Sequence, residues 1–288
     1  MSSSNMKVEV RCPACKSIGK ITVDQQLIDQ SVRGLTAVTI ASNLICEHAF
    51  VAYVDKNRDI RDYILCDFLI DIPEIELKLD SKKPQIKSYE DFDVDIIKLN
   101  IYPSLLVNVL KGILFKKDIL IILDNDFLRG YVQKFLLYTT EGTFSHEVVL
   151  LSRKTYPKVK KEYKKFLILE NAKVIKDKDK ILNQKKLKFE KAIVQKFFEE
   201  KDPKSSLLII INEIKKIFIL SKKIVEFNNN LKNNQKIDSK MLLDHFKAEL
   251  DLKIQFPYLR YLMEIVKSYF QVDIDYTSDT IDFFKLLQ

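Results

Sequence analysis

The chain has 288 residues, with 47% hydrophobic and 31% charged side chains, a formal net charge of +8, five glycines, seven prolines and no tryptophan. That length fits two or three modest domains, and so few glycines and prolines leave little for linkers and glycine-rich loops and argue for long helices with short connections. No run of about 18 uncharged apolar residues and no N-terminal apolar core is present, so a cytoplasmic chain without a transmembrane segment is expected, its four cysteines reduced and suited to metal rather than disulfides.

Residues 1–72 read as a small β-rich module. Val8 to Arg11 alternate like a strand and run into Cys12-Pro-Ala-Cys15, after which Lys20 to Val23 read as a short returning strand. A Cys-x-x-Cys turn lets two thiolates converge on one tetrahedral ion. Thirty residues on, Leu44-Ile-Cys46-Glu-His48 offers a second pair, which on an extended backbone would face one side. Cys12, Cys15, Cys46 and His48 together have the composition of a closed structural zinc site. Glu47, between two ligands, would point away and is no general base. Two β-type runs around Asp55-Lys-Asn-Arg predict a hairpin with a polar turn. Cys66 is a rival fourth ligand, but its strand parity with Ile64 and Phe68 favours a core thiol. A redox Cys-x-x-Cys would need the strand–helix context of a thioredoxin site, which is missing.

The stretch Cys12-Pro-Ala-Cys15, Gly34-Leu35, Ile45-Cys-Glu-His-Ala-Phe50, Val54-Asp-Lys-Asn57, Arg61-Asp-Tyr63 and Asp67-Phe68 resembles an N-terminal zinc module of uncharacterised proteins from Asgard (Lokiarchaeia-type) archaea. The resemblance covers about residues 7–70 and brings no established activity. It implies an archaeal setting rich in small GTPases and trafficking-like components.

Residues 73–99, with Pro73 and Pro84 and no helical periodicity, read as a linker with an edge strand. Residues 100–182 read as an α/β domain. Pro103 opens a helix over Ser104 to Phe115. Asp118-Ile-Leu-Ile-Ile-Leu-Asp124 is a strand buried on both faces, and Phe127 to Tyr138 reads as a helix. Glu147 to Leu151 is a second buried strand, Tyr156 to Lys165 a short basic helix, Phe166 to Glu170 a third strand and Lys173 to Lys176 a fourth. This alternation predicts a three-layer domain with a mainly parallel sheet. The order helix, strand, helix, strand from Leu105 to Leu151 is also similar to part of the DENN-type regulators of small GTPases, without a shared motif. The loop after the first strand, Asp124-Asn-Asp126, has no glycine, and neither Gly-x-Gly-x-x-Gly nor Gly-Lys-Ser/Thr occurs in the chain. Asp124 could hold a metal or ribose, but a helix N-cap by Asn125 or Asp126 is the simpler reading.

Residues 183–288 read as helices packed on the α/β domain. They run from Lys185 to Lys201, from Ser206 to about Leu231, from Lys240 to Leu250 behind an Asp238 or Ser239 cap, and from Pro257 to Phe270. Lys215, Lys216, Lys222 and Lys223 mark a wet face on the longest, and Ile281 to Leu287 are apolar enough to dock. His146 and His245 lack a Cys or Ser partner at a diagnostic spacing and read as structural.

The fold class is therefore α/β plus helical: a β-rich zinc module, a central α/β domain and C-terminal helices. Charge is uneven. Residues 152–201 hold 17 Lys/Arg and 7 Asp/Glu. Lys158, Lys160, Lys161, Lys164, Lys185, Lys186 and Lys188 are candidate contacts to nucleic acid or an anionic membrane surface. Lys far outnumbers Arg there, whereas base readout favours Arg. With a filled zinc sphere and no catalytic motif, the sequence favours a non-enzymatic adaptor with a protein partner, and a nucleic-acid-binding protein is the alternative.

Overall fold

A computed structural model describes residues 5–29, 34–66, 93–183, 187–231, 237–274 and 276–277, apart from the side chain of Cys66 and those of four other residues. The expectations for the linker over 73–92, for Lys185 and Lys186, for the core role of Cys66 and for Ile281 to Leu287 lie outside the described residues.

The chain opens with β1 (Asn5–Arg11) and β2 (Ile18–Asp24), an antiparallel hairpin, followed by the short α1 (Gln25–Asp29). Then β3 (Leu35–Ile40), β4 (Ala49–Asp55) and β5 (Ile60–Cys66) form an antiparallel meander. The expected polar turn joins β4 to β5, with Arg58 at φ 72. Strand parity sends Val8, Val10, Ile21 and Val23 into one core with Phe50, Ala52 and Val54. The intervening Val51 and Tyr53 face the other way, into the main core, where Tyr53 meets Phe198 at 5.6 Å between ring centroids. β4 is thus buried on both faces, and the meander is fused to the rest of the chain through the face that carries Val51, Tyr53 and Ile64.

The stretch read as linker ends in a helix, α2 (Val94–Asn100), capped by the Asp93 carboxylate on Asp95 N–H. It leads into α3 (Pro103–Leu114), whose residues are almost all buried. The α/β unit continues through β6 (Ile119–Ile122), α4 (Asp126–Thr140), β7 (Val148–Leu151), α5 (Tyr156–Val159), β8 (Leu167–Glu170) and β9 (Lys173–Lys176). Strand order is β7-β6-β8-β9, with β6 parallel to β7 and β8, and β9 antiparallel to β8. Ile119, Ile121, Leu167 and Leu169 turn to the face covered by α3 and α4. Leu120, Ile122 and Ile168 turn to the opposite face, under Tyr156, Tyr163 and Phe166. These are the three expected layers. Gly112 lets α3 lie close on the sheet, because a Cβ there would stand 2.7 Å from Ile119 Cδ1.

The basic helix expected over Tyr156 to Lys165 stops at Val159 and gives way to turns. Lys160 and Lys164, and Lys161 and Lys165, would repel at i,i+4 on a continued helix. The remaining helices are α6 (Lys188–Glu199), α7 (Pro203–Asn230), α8 (Ser239–Leu250) and α9 (Phe256–Ile265), which runs into a π-turn over Val266–Phe270. The two-residue strands β10 (Ile237–Asp238) and β11 (Tyr276–Thr277) pair in parallel. Asp202 and Asp238 cap α7 and α8 through their side chains. Lys216, expected on the wet face of α7, is buried and pairs with Glu213 at 2.8 Å. Among the described residues no single helix is long and apolar enough to cross a membrane.

Candidate metal centre

Strand parity explains the first ligand. Cys12 follows Val8 and Val10 on the inward face of β1 and is fully buried. The chain then turns back: Cys12 N–H donates to Ser17 C=O at 2.8 Å and Lys16 N–H to Cys12 C=O at 3.0 Å. Lys16 takes the left-handed conformation, φ 67, that closes this knuckle, and its ammonium donates to Pro13 C=O at 2.9 Å. Cys15 sits at the exposed tip.

The second pair lies in a loop rather than on the extended strand expected from its spacing. Residues 42–47 are turns and bends, and β4 begins only at Ala49. Asn43, at φ 70, tightens this loop, and its N–H donates to Cys46 C=O at 2.7 Å. The two loops interlock through Ile45, whose side chain covers the bare face of Gly19. A further tie comes from β5, where Tyr63 OH accepts Arg11 N–H at 3.0 Å just before the knuckle.

The result is one cluster. One donor atom from each of Cys12, Cys15, Cys46 and His48 lies within 4.8 Å of the others, and Cys46 Sγ is 3.7 Å from His48 Nδ1. Ligands about 2.3 Å from a tetrahedral zinc stand roughly 3.8 Å apart, so modest contraction brings this set onto one ion. Glu47 is exposed and outside the cluster.

Electrostatics among the thiols point the same way. Hydrogen bonding with Ser17, whose hydroxyl lies 3.2 Å from Cys15 Sγ, lowers the Cys15 thiol to about 6. The Cys46 thiol is pulled down by a hydrogen bond with the His48 backbone, but burial and the Cys12 and Cys15 sulfurs outweigh it and push it up to about 11. The cluster alone thus accepts one negative charge readily and resists the next. A divalent cation removes that resistance. Three thiolates and an imidazole suit a soft-to-borderline metal and fill a tetrahedral sphere, which leaves no open position for a substrate.

The other candidate residues are accounted for differently. At the carboxyl ends of the parallel strands, Asp124 Oδ1 accepts Arg153 N–H at 2.7 Å, and Arg153 Nε donates to Glu170 Oε1 at 2.7 Å. This is the crevice where open α/β sheets take ligands; here Arg153 engages both carboxylates, Asp124 through its backbone N–H and Glu170 through its guanidinium. Asn125 provides the cap of α4, accepting the N–H groups of Phe127 and Leu128. His146 lies near Thr140 Oγ1 and Phe144 C=O, each at 3.4 Å, and burial lowers its pKa. His245 rests against the Phe227 ring at 4.4 Å and near Glu249 at 3.5 Å. Lys158, Lys160, Lys161 and Lys164 are exposed around α5, and Lys188 is half-buried at the start of α6. Sequence reasoning missed the exposed apolar rim of the metal cluster, Ile18 at 61% and Leu44 at 64% exposure. Each neighbours the Gly19–Ile45 contact, and no periodicity marks either residue.

No protein-family model matches the chain, and comparisons with curated proteins and with solved structures yield no match.

Proposed function

We propose that the protein is a non-enzymatic, zinc-stabilised interaction protein, an adaptor whose N-terminal tip is held in shape by the metal. The observation that carries this reading is the closed Cys12, Cys15, Cys46, His48 cluster, with four donor atoms within 4.8 Å. Its ligands come from two separate loops of the chain, so an ion there acts as a staple between them. What the staple holds in place is the rim carrying Ile18 and Leu44. Two large aliphatic side chains more than half exposed beside a rigid tip suit a protein contact. The resemblance of residues 7–70 to a zinc module of Asgard archaea supports small-GTPase or trafficking-like components as the first partners to try.

The test has two arms. Native mass spectrometry of the purified chain is expected to show about one zinc per chain, lost in Cys46→Ala. Affinity purification from native lysate is expected to retain a defined protein that Ile18→Asp/Leu44→Asp releases while zinc stays bound. A chain without zinc, or a partner indifferent to the rim substitutions, overturns the proposal.

A further inference from the structure

Residues 152–183 carry eleven Lys/Arg against four Asp/Glu. Three of those four acids are engaged. Glu170 takes Arg153, Asp179 takes Lys117 at 2.7 Å, and Asp177 accepts the N–H groups of Ile181 and Leu182 at 3.1 and 2.8 Å. Lys158, Lys160, Lys161, Lys164, Lys165 and Lys173 stand exposed, and none has a carboxylate partner among the described residues.

These lysines belong to one layer. Lys158 to Lys165 lie in α5 and the turns that cover the Leu120, Ile122 and Ile168 face of the sheet. Lys176 of β9 donates to Lys164 C=O, which joins the sheet edge to that layer. The same edge strand exposes two aliphatic side chains, Val174 at 40% and Ile175 at 45%.

The chemistry of the patch selects its partner. Single-stranded nucleic acid is held by aromatic platforms on which bases stack. Tyr156, Tyr163 and Phe166 instead turn inward against the sheet, and Tyr163 and Phe166 pack edge-to-face at 5.0 Å. Base-edge readout prefers Arg, and the one arginine in the segment, Arg153, is committed to Glu170. What is left is a field of unpaired ammonium groups bordered by the edge strand that exposes Ile175, while Val174, paired with Leu169, stands on the opposite face of the sheet. That combination fits a bilayer, where lysines meet anionic headgroups and short apolar side chains reach the acyl boundary.

We propose that the lysine layer over residues 154–166, together with β9, docks the protein reversibly on an anionic lipid surface. This goes beyond the adaptor reading and does not depend on the metal cluster, so either can fail without the other.

The test is co-sedimentation of the full chain with phosphatidylcholine vesicles, with and without phosphatidylglycerol. The expected result is binding only to the anionic vesicles, weakening as salt rises. Each lysine lost is expected to lower partitioning roughly fivefold, so Lys160→Gln/Lys161→Gln/Lys164→Gln should bind roughly a hundredfold more weakly. These side chains are exposed, and circular dichroism confirms that the variant folds. Ile175→Ser is expected to weaken binding with its salt dependence intact. No sedimentation at about 50 mM salt, equal sedimentation with neutral vesicles, or full binding by the triple variant each overturns the proposal. So does binding to single-stranded RNA or duplex DNA, in the absence of vesicle binding, that is lost in the lysine variant and untouched by Ile175→Ser.

Discussion

The carboxylate of Asp62 accepts the backbone N–H of Ser104 at 2.8 Å, so a residue of β5 caps the first turn of α3 from forty-two positions earlier in the chain. Tyr102, the local N-cap residue of α3, offers no side-chain acceptor. The helix therefore borrows its cap from the half of the protein that carries the Cys/His cluster. Asp62→Ala is expected to cost about 1–2 kcal/mol by chemical denaturation, the usual loss for a helix cap. Burial raises the Asp62 pKa, against the opposing hydrogen bond from Ser104. The folded state therefore binds this proton more tightly than the unfolded state. Between the ordinary carboxylate range and the raised folded pKa, stability falls as pH rises. Wild type is thus expected to gain on Asp62→Asn, which does not titrate, as pH drops through that window. A pH-independent difference between the two would contradict this.

A second polar contact lies deeper. Lys111 of α3 and Glu190 of α6 face each other at 3.2 Å, with side-chain exposures of 1% and 0%. The Lys111 ammonium also lies 3.7 Å from the centroid of the Phe115 ring. Burial raises the Glu190 pKa, and the Lys111 charge only partly offsets it. Removing one partner of such a pair strands the other charge in the core, so Glu190→Ala is expected to cost about 3–5 kcal/mol. Replacing both, as in Lys111→Met/Glu190→Leu, is expected to recover most of that loss. Urea denaturation of the two variants measures the difference. Equal losses in both would mean that packing, not charge, sets the penalty.

What was legible in the sequence follows from physical range. The run Ile119 to Ile122 is apolar on both faces, so its burial in a parallel sheet could be read locally. The four clustered residues, Cys12, Cys15, Cys46 and His48, stood out because thiols and imidazole at those spacings suit a metal. The loop that carries Cys46 and His48 was not legible, since its shape depends on Asn43 at positive φ and on Ile45 seated over Gly19. Nor was the double-sided burial of β4, because Tyr53 finds Phe198 nearly 150 residues away. Lys216 read as solvated because long stretches of α7 alternate apolar and charged residues. Its burial depends on what packs beside it, and no periodicity reports that.

The thiol pattern of the cluster sets an expectation for zinc loading. Without metal, Cys15 ionises near 6 while Cys46 holds its proton to about 11. A closed site needs every thiol deprotonated. Zinc uptake near neutral pH is therefore expected to release at least the Cys46 proton, and affinity is expected to rise with pH. Calorimetric titration in two buffers of different ionisation enthalpy counts the protons released. A heat independent of buffer would show that zinc displaces none and that the cluster is not the binding site.

Gly19 offers a test of the coupling between the two ligand loops that leaves all four ligands in place. A Cβ at this position would stand 2.8 Å from Ile45 Cγ1 and 3.0 Å from both Cδ1 and Cγ2, so the Ile45 side chain would have to move as a whole. Ile45 directly precedes Cys46, so that displacement is transmitted to the second ligand pair. Gly19→Ala is expected to destabilise the zinc-bound protein by about 1–3 kcal/mol, the usual cost of overpacking a filled site. It is also expected to weaken zinc affinity, measured by competition with a chromogenic chelator. Trimming the obstructing side chain relieves the clash, so Gly19→Ala/Ile45→Ala should regain affinity relative to Gly19→Ala alone. If the double variant binds zinc no better than the single one, the loops are held together by something other than this contact.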